Sequence, residues 1–272
     1  MQSPTLSRGI EQKSEAVAQP GRANILGVGV SAISMADAIH HSDTLLQEGS
    51  QGYICVTGVH GITEAQSDEQ FRAILNSSFL TTPDGMPTVW LGRWQGHKNM
   101  NRVYGPDFML ELCRISVERG YRHFLYGSTP SVTAALAQQL CDRFPGLQIA
   151  GLYSPPFRAL TAEEEEELQR RVLKANADIL WCGLSTPKQE RFMAKYNGKL
   201  AVRLMVGVGA AFDINSGRVK DAPKWMKSAG LQWLYRMVKE PRRLAGRYLK
   251  NNPRFLWLAS LQLAGIRKYE LS

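Results

Sequence analysis

The stretch YRHFLYGSTPSVTAALAQQLCDRFPGLQIAG (121–151) decides the fold class. Its first seven residues (121–127) are rich in aromatic side chains and have the length of a strand, and the short loop that follows contains Pro130, which suits the first turn of a helix. Residues 132–144 carry apolar side chains at helical spacing, and a Pro-Gly turn then leads into a second strand within 145–151. A strand, a helix and another strand joined by short connections are typical of a parallel sheet covered by helices.

The same alternation continues in both directions along the chain. Strands are also predicted over 23–33, 52–59, 177–184 and 202–212, and a turn, a strand and a second turn over 81–92. Helices are predicted over 35–49, 67–79, 187–196 and from Thr161 onward. The sequence therefore predicts an α/β fold, a Rossmann-like parallel sheet flanked by helices. Ligands of such folds bind at the carboxyl ends of the strands, so polar segments that follow strands are the candidate site.

Composition limits the class of protein. Apolar residues make up 44% of the 272 residues, which is enough for one large domain and excludes a wholly disordered chain. None of the four cysteines forms a C-x-x-C pair, so we expect reduced, buried thiols and a cytoplasmic protein. Residues 1–22 are polar and lack the apolar core of a signal peptide, which predicts a disordered leader. The stretch that comes closest to a membrane-spanning helix, 255–265, falls short of the roughly 18 residues that such a helix requires.

Charge is concentrated at the C-terminal end. Residues 218–272 contain 13 lysines and arginines and 3 acidic residues, a net charge of +10, whereas residues 1–217 sum to −1. We therefore place a boundary near Gly217, between an α/β core (23–217) and a basic helical appendage (218–272). The asymmetry predicts a polyanionic partner, which would be membrane phosphates, diphosphate groups or nucleic acid. A nucleic-acid-binding protein is the alternative function, but the appendage lacks a helix-turn-helix or finger pattern.

Several segments that follow strands carry polar groups. VTGVHG (56–61) offers the Thr57 hydroxyl and His60 beside two glycines that allow close approach of a ligand. In TPDGMP (82–87), Asp84 is either part of an ordinary turn or a carboxylate placed to take a proton from an attacking hydroxyl. Arg102 is either a surface charge or a guanidinium that binds a diphosphate through two hydrogen bonds.

A fourth segment, GLSTPKQE (183–190), opens a helix whose backbone N–H groups suit an anion, with Gln189 as a donor to a sugar or a phosphate. GVGAAF (207–212) is not a dinucleotide-binding fingerprint, because Phe212 occupies the place of the third glycine, and this argues against an NAD-dependent enzyme. The chain also lacks a Walker A loop, zinc-ligand spacing and the D-x-D motif. The sequence therefore predicts no cofactor and no metal, and arginines must neutralise any diphosphate that the protein handles.

The order and spacing of these segments resemble the WecG/TagA/CpsF glycosyltransferases, which form glycosyltransferase family 26. The segments that carry the resemblance are CVTGVHG (55–61), FLTTPDGMPTVWLGR (79–93), RVYGPDFM (102–109), FLYGSTPSV (124–132), FPGLQIAGLYSPPF (144–157), ADILWCGLSTPKQERFM (177–193), VGVGAAFDINSGRVKDAPKWM (206–226) and GLQWLYRMVKEPRRLAGRYLKNNPRFL (230–256). The match covers roughly residues 24–260.

The resemblance implies an inverting glycosyltransferase. It would move a hexose of the N-acetylmannosamine type from a UDP-sugar to a sugar linked to polyprenyl diphosphate, in bacterial exopolysaccharide or cell-surface polysaccharide synthesis. The aspartate of the family's PDG motif, its proposed base, corresponds to Asp84. The residues that would shape the substrate pocket are Thr57, Arg102, Gln189 and Asp213. The first family motif often reads T-x-N, and here Val59 replaces the asparagine, so we expect His60 to supply the missing polar group.

The resemblance also implies a role for the appendage, which in this family is proposed to dock on the inner leaflet of the membrane and to close over the site. Here its basic residues alternate with tryptophan and tyrosine, as expected for a helix that lies on an anionic membrane surface. Arginines that would contact a diphosphate or the membrane are Arg236, Arg242, Arg243 and Arg247. We therefore expect a cytoplasmic protein that is peripheral on the inner face of the cell membrane, with a homo-oligomer as an open possibility and no nucleic-acid partner.

Overall fold

A computed structural model describes residues 19–271 of the chain. Two sheets are present in this part. The strands are β1 (Arg22–Ile25), β2 (Val28–Ser31), β3 (Gly52–Thr57), β4 (Leu80–Pro83), β5 (Arg122–Gly127), β6 (Gln148–Tyr153), β7 (Ile179–Gly183) and β8 (Leu204–Gly207). Residues 1–18 of the predicted leader lie outside the described residues. Arg22, the last residue of that predicted leader, is the first residue of β1.

The larger sheet has six strands in the order β4-β3-β8-β7-β5-β6, and every neighbouring pair is parallel. Its central strands are buried on both faces. The predicted α/β fold with a Rossmann-like parallel sheet is therefore confirmed. Because all strands run the same way, the loops that follow β3, β4, β5, β7 and β8 come together at one edge of the sheet.

Helices cover both faces of this sheet. They are α1 (Met35–Gln47), α2 (Val59–Glu64), α3 (Glu69–Asn76), α4 (Met86–Trp94), α5 (Gly105–Arg119), α6 (Pro130–Arg143), α7 (Ala162–Ala175), α8 (Lys188–Tyr196), α9 (Ala211–Asn215), α10 (Lys224–Ser228), α11 (Gln232–Lys239) and α12 (Pro241–Leu263). Several boundaries follow from local sequence. Ser34 and Thr161 form capping boxes with Asp37 and Glu164, and α5 ends at Gly120 in the left-handed conformation.

The prediction of one strand over 23–33 was wrong, because this segment folds as an antiparallel hairpin of β1 and β2. Its turn consists of Leu26 and Gly27, both with positive φ, and Ile25 pairs with Val28. The turn could not be recognised in the sequence because it lies within a continuous apolar run. Leu26 is completely buried, whereas turn residues are usually exposed and polar. The hairpin is a separate two-stranded sheet.

The prediction for 81–92 was also wrong, because the strand comes before Asp84 and a helix follows it. Strand β4 ends at Pro83, and α4 contains the residues that were expected to be the strand. Pro87 lies in the first turn of α4, where its missing N–H costs little, and Gly85 is the N-cap. Asp84 thus occupies the connection between a strand and a helix.

The segment from 218 to 271, which we call the tail, consists mainly of α10, α11 and α12. Pro241 begins α12, and Pro253 lies inside that helix rather than ending it. Phe255, Leu258 and Ala259 are buried in the same apolar cluster as residues of β3 and α2. The tail therefore packs closely against the core that precedes it.

None of the helices described is long and apolar enough to cross a membrane. All four cysteines have free thiols, and Cys55, Cys113 and Cys182 are buried, as the sequence predicted, while Cys141 is half-buried.

Candidate functional site

A cavity of about 1230 Å³ lies at the carboxyl edge of the parallel sheet. Residues that follow β3, β4, β5, β7 and β8 line it, and α11 and α12 of the tail form its opposite wall. The cavity brings together most of the site residues predicted from the sequence. Those that line it are Thr57, His60, Asp84, Arg102, Gln189, Asp213, Arg236, Arg243 and Arg247.

Asp84 is held by the ends of two neighbouring strands. Its backbone N–H donates to the carbonyl of Thr57 at 3.0 Å, and its carboxylate Oδ1 accepts from the N–H of Gly105 at 3.3 Å. The other oxygen, Oδ2, lies 3.8 Å from the position that a Cβ atom would occupy at Gly58. Burial raises the pKa of the Asp84 carboxyl, and the charge of Arg102 acts in the opposite direction. A carboxylate with a raised pKa inside a cavity is suited to accept a proton.

Arg102 joins the strand end to the tail. Its Nε donates to the carbonyl of Asp84, and one terminal nitrogen donates to Oε1 of Gln232 in α11. The guanidinium lies over the ring of Tyr104, 4.2 Å from its centroid. Two of its five N–H groups are therefore engaged by the protein, and the two-point contact predicted from the sequence would have to use the remaining three.

Thr57 and Gln189 present unsatisfied polar atoms. Both side chains are at least 97% buried, and neither Thr57 Oγ1 nor Gln189 Oε1 has a hydrogen-bond partner among the described residues. A Cβ atom at Gly207 would lie 3.1 Å from Gln189 Nε2, and one at Gly209 would lie 3.3 Å from Oε1. The glycines of the sequence GVG thus make room for this side chain. Buried atoms without partners are unfavourable unless a ligand or water satisfies them.

His60 and Asp213 border the cavity on either side. Burial, reinforced by the charge of Arg247, lowers the pKa of His60 to about 4, so its imidazole is neutral at pH 7. Val59 also lines the cavity while packing on the apolar core. The Asp213 carboxylate is 3.7 Å from the guanidinium of Arg218. His60 is therefore a neutral hydrogen-bonding group at the position next to Val59.

Three of the four arginines predicted in the tail line the cavity, and the fourth does not. Arg236, Arg243 and Arg247 line the cavity, whereas Arg242 is exposed and lies outside its lining. Arg236 Nε is buried without a hydrogen-bond partner among the described residues, and Arg243 pairs with Glu240. The cavity therefore faces several guanidinium groups on the side opposite the sheet.

Other lining residues were missed from the sequence. Ser128 and Thr129 follow β5, and the loop 155–160 follows β6. Gly127, at the end of β5, was the sequence feature that could have indicated this part of the site. A Cβ atom at this position would lie only 2.7 Å from the backbone of Gly183, so the position requires glycine. Gln232 was also missed, since a glutamine among basic and aromatic residues gives no sequence signal of its contact with Arg102.

In the part of the chain that is described, no group of three or more His, Cys, Asp or Glu side chains is arranged to hold a metal ion. The positively charged residues that line the cavity include Arg236, Arg243 and Arg247 of the tail and the lysines Lys188, Lys195 and Lys227.

Comparison with known proteins gives the family. The chain is 30% identical over 177 residues to a protein of Bacillus subtilis (strain 168) named N-acetylglucosaminyldiphosphoundecaprenol N-acetyl-beta-D-mannosaminyltransferase, a match that covers 65% of this chain and 67% of the relative. A protein of the same name from Bacillus spizizenii (strain ATCC 23059 / NRRL B-14472 / W23) is 29% identical over 206 residues, or 75% of this chain and 78% of the relative. The model of the Glycosyl transferase WecG/TagA/CpsF family matches residues 23–269. This chain therefore belongs to the WecG/TagA/CpsF family of glycosyltransferases.

Proposed function

We propose that this glycosyltransferase moves a hexose of the N-acetylmannosamine type from a UDP-sugar to a sugar linked to polyprenyl diphosphate. The observation that carries the proposal is the Asp84 carboxylate, held at a strand end in a cavity whose opposite wall carries arginines. The names of the relatives support both the transferred sugar and the type of acceptor. The product would enter bacterial exopolysaccharide or cell-surface polysaccharide synthesis.

The reaction requires a base and a neutralised leaving group. Asp84 takes the proton of an acceptor hydroxyl as its oxygen attacks the anomeric carbon of the donor sugar. The bond from that carbon to the diphosphate oxygen breaks, and the electron pair leaves with UDP. Attack from the face opposite the leaving group inverts the anomeric configuration. Arg236 and Arg247 face the cavity from the tail, where they stabilise the negative charge that develops on the diphosphate.

Transfer assays test this function directly. Purified protein is incubated with a panel of UDP-sugars and a lipid-diphosphate N-acetylglucosamine acceptor, with and without EDTA. We expect transfer from UDP-N-acetylmannosamine or a close analogue, and the same rate in EDTA because arginines supply the positive charge. Absence of transfer from every UDP-sugar would contradict the proposed donor. Loss of activity in EDTA, restored by magnesium or manganese, would contradict the proposed role of the arginines.

We also propose that the tail and α4 bind an anionic membrane surface. Large apolar side chains are exposed on both, namely Trp90, Trp94, Trp225, Val238, Leu249, Leu256, Trp257 and Ile266. Trp90 lies against Gly230, where a Cβ atom would be 2.9 Å from its ring, so α4 adjoins the turn between α10 and α11. Exposed tryptophans among basic residues suit the interface between lipid headgroups and acyl chains. A cytoplasmic, peripheral location on the inner face of the membrane follows from this proposal.

Liposome flotation of the full-length protein tests the membrane surface. Binding to anionic vesicles should weaken steeply between 0.1 M and 1 M salt, because the Debye length falls from about 10 Å to about 3 Å. Trp225→Ala and Trp257→Ala should each reduce binding roughly tenfold, since each removes a large side chain from the interface. Leu173→Ala is the matched control, because Leu173 and Trp225 are both 66% exposed and Leu173 lies on α7. Equal losses in all three variants, or tighter binding to DNA than to vesicles, would contradict the proposal.

A further inference from the structure

Glu190 is a buried carboxyl group that the reaction described above does not use. It follows Gln189 in α8, is 1% exposed, and lies outside the lining of the cavity. Cys55 and Cys182, both buried, are close enough for their thiols to be influenced by its charge. An acidic side chain in an apolar interior is unfavourable, so its presence calls for a specific role.

The hydrogen bonds of Glu190 converge on one oxygen. Its Oε1 accepts from the Thr186 hydroxyl at 2.8 Å and from Nε2 of Gln189 at 3.0 Å. Its Oε2 has no partner among the described residues. Because the acceptor Oε1 faces the Gln189 amide, the NH₂ group of that amide must point toward Glu190. The carbonyl oxygen of the same amide is then left without a partner, as observed.

We propose that Glu190 is a positioning residue that holds the Gln189 amide with its carbonyl oxygen turned to the substrate. The inference rests on the proposed function, because it assigns a role within the same cavity. Gln189 then acts as a hydrogen-bond acceptor, opposite to the donor role considered from the sequence. The group that it recognises must be a donor, either a sugar hydroxyl or the N–H of an acetamido group.

The charge state of Glu190 is compatible with this role. Burial raises the pKa of its carboxyl group, and the hydrogen bonds from its own backbone N–H, Thr186 and Gln189 oppose that shift. In the neutral acid, a proton on Oε2 leaves Oε1 free to accept both hydrogen bonds. Glutamine has the same shape as this neutral acid, with its carbonyl in place of Oε1 and its NH₂ group in place of the protonated Oε2. Methionine has a similar length but cannot accept these hydrogen bonds.

Steady-state kinetics of the full-length protein test the inference. Glu190→Met should raise KM for the UDP-sugar roughly tenfold, within the range for loss of a buried hydrogen bond, with a smaller change in kcat. Glu190→Gln should restore a donor KM close to that of the unchanged protein. In a Gln189→Met background, Glu190→Met should cause no further loss, because its effect passes through Gln189. An unchanged KM in Glu190→Met, or full additivity of the two losses, would overturn the inference.

A second measurement does not depend on turnover. The side-chain NH₂ resonances of Gln189, assigned by their disappearance in Gln189→Met, should exchange slowly with solvent in the unchanged protein and in Glu190→Gln. They should exchange faster in Glu190→Met while the unfolding temperature shows that the variant is folded. Equal exchange in all three proteins would overturn the positioning role even if transfer occurs. Slow exchange in a protein that transfers no sugar would instead indicate that the proposed function has failed.

Discussion

Asp84→Asn should lower the rate of sugar transfer by a factor on the order of 10²–10⁴, the usual contribution of a general base. The asparagine keeps the shape of the side chain and can still accept from the N–H of Gly105 through its carbonyl oxygen. It cannot take a proton from the acceptor hydroxyl. We therefore expect kcat to fall while KM for the donor changes little, which steady-state kinetics with a lipid-diphosphate acceptor will measure.

The pH dependence gives an independent check on Asp84. Because burial raises the pKa of this carboxyl, the group is protonated at a higher pH than an ordinary aspartate. Activity should therefore be lost as the pH falls through that raised pKa, and this limb of the profile should disappear in Asp84→Asn. Asp142→Asn is the matched control, because Asp142 is exposed on α6 outside the cavity lining and should change the rate by no more than about twofold. Near-normal turnover in Asp84→Asn would refute the assignment.

Arg247→Ala should reduce kcat by about 10²-fold or more, the typical cost of removing one group that stabilises charge in a transition state. Arg247 is half-buried in the cavity wall, beside His60, and burial lowers its pKa. Removal of its guanidinium leaves the charge of the departing diphosphate less well neutralised. The measurement is the rate of UDP release in the presence of saturating acceptor.

Arg242→Ala provides a control on the same helix. It removes the same charge from α12, but Arg242 is exposed and does not line the cavity. Both variants should lose a similar amount of binding to anionic vesicles, because each lowers the charge of the tail by one unit. Only Arg247→Ala should lose turnover in detergent, where vesicle binding plays no part. If both variants turn over equally well, the proposed contact between the tail and the diphosphate is incorrect.

Much of the fold could be predicted because its signals are local. The strand, helix and strand of residues 121–151 show their periodicity directly, and the same is true of β7 and α8. The candidate role of Asp84 could be proposed from its motif, but the strand that precedes it was not predicted, because the strand was expected after it. That Asp84 and Gln189 line the same cavity followed from the rule that parallel strands end at one edge of a sheet.

The errors came from segments in which tertiary contacts decide the structure. The buried residues Thr88, Val89 and Leu91 suit a strand as well as a helix, and their burial does not reveal which of the two forms. The turn at Leu26 and Gly27 is hidden in an apolar run because both of its sides are buried. The orientation of the Gln189 amide depends on atoms of Glu190, and no pattern of residue types encodes such a detail.

The contacts of the tail with the core limit how the cavity can change shape. Near its start, Gln232 accepts a hydrogen bond from Arg102, and near its end Gln262 and Tyr269 bind Asn24 of the hairpin. Between these attachments Phe255, Leu258 and Ala259 are buried against the core, so the tail is a fixed wall of the cavity and not a hinged flap. Opening of the cavity by movement of the whole tail would therefore have to break all of these contacts with the core.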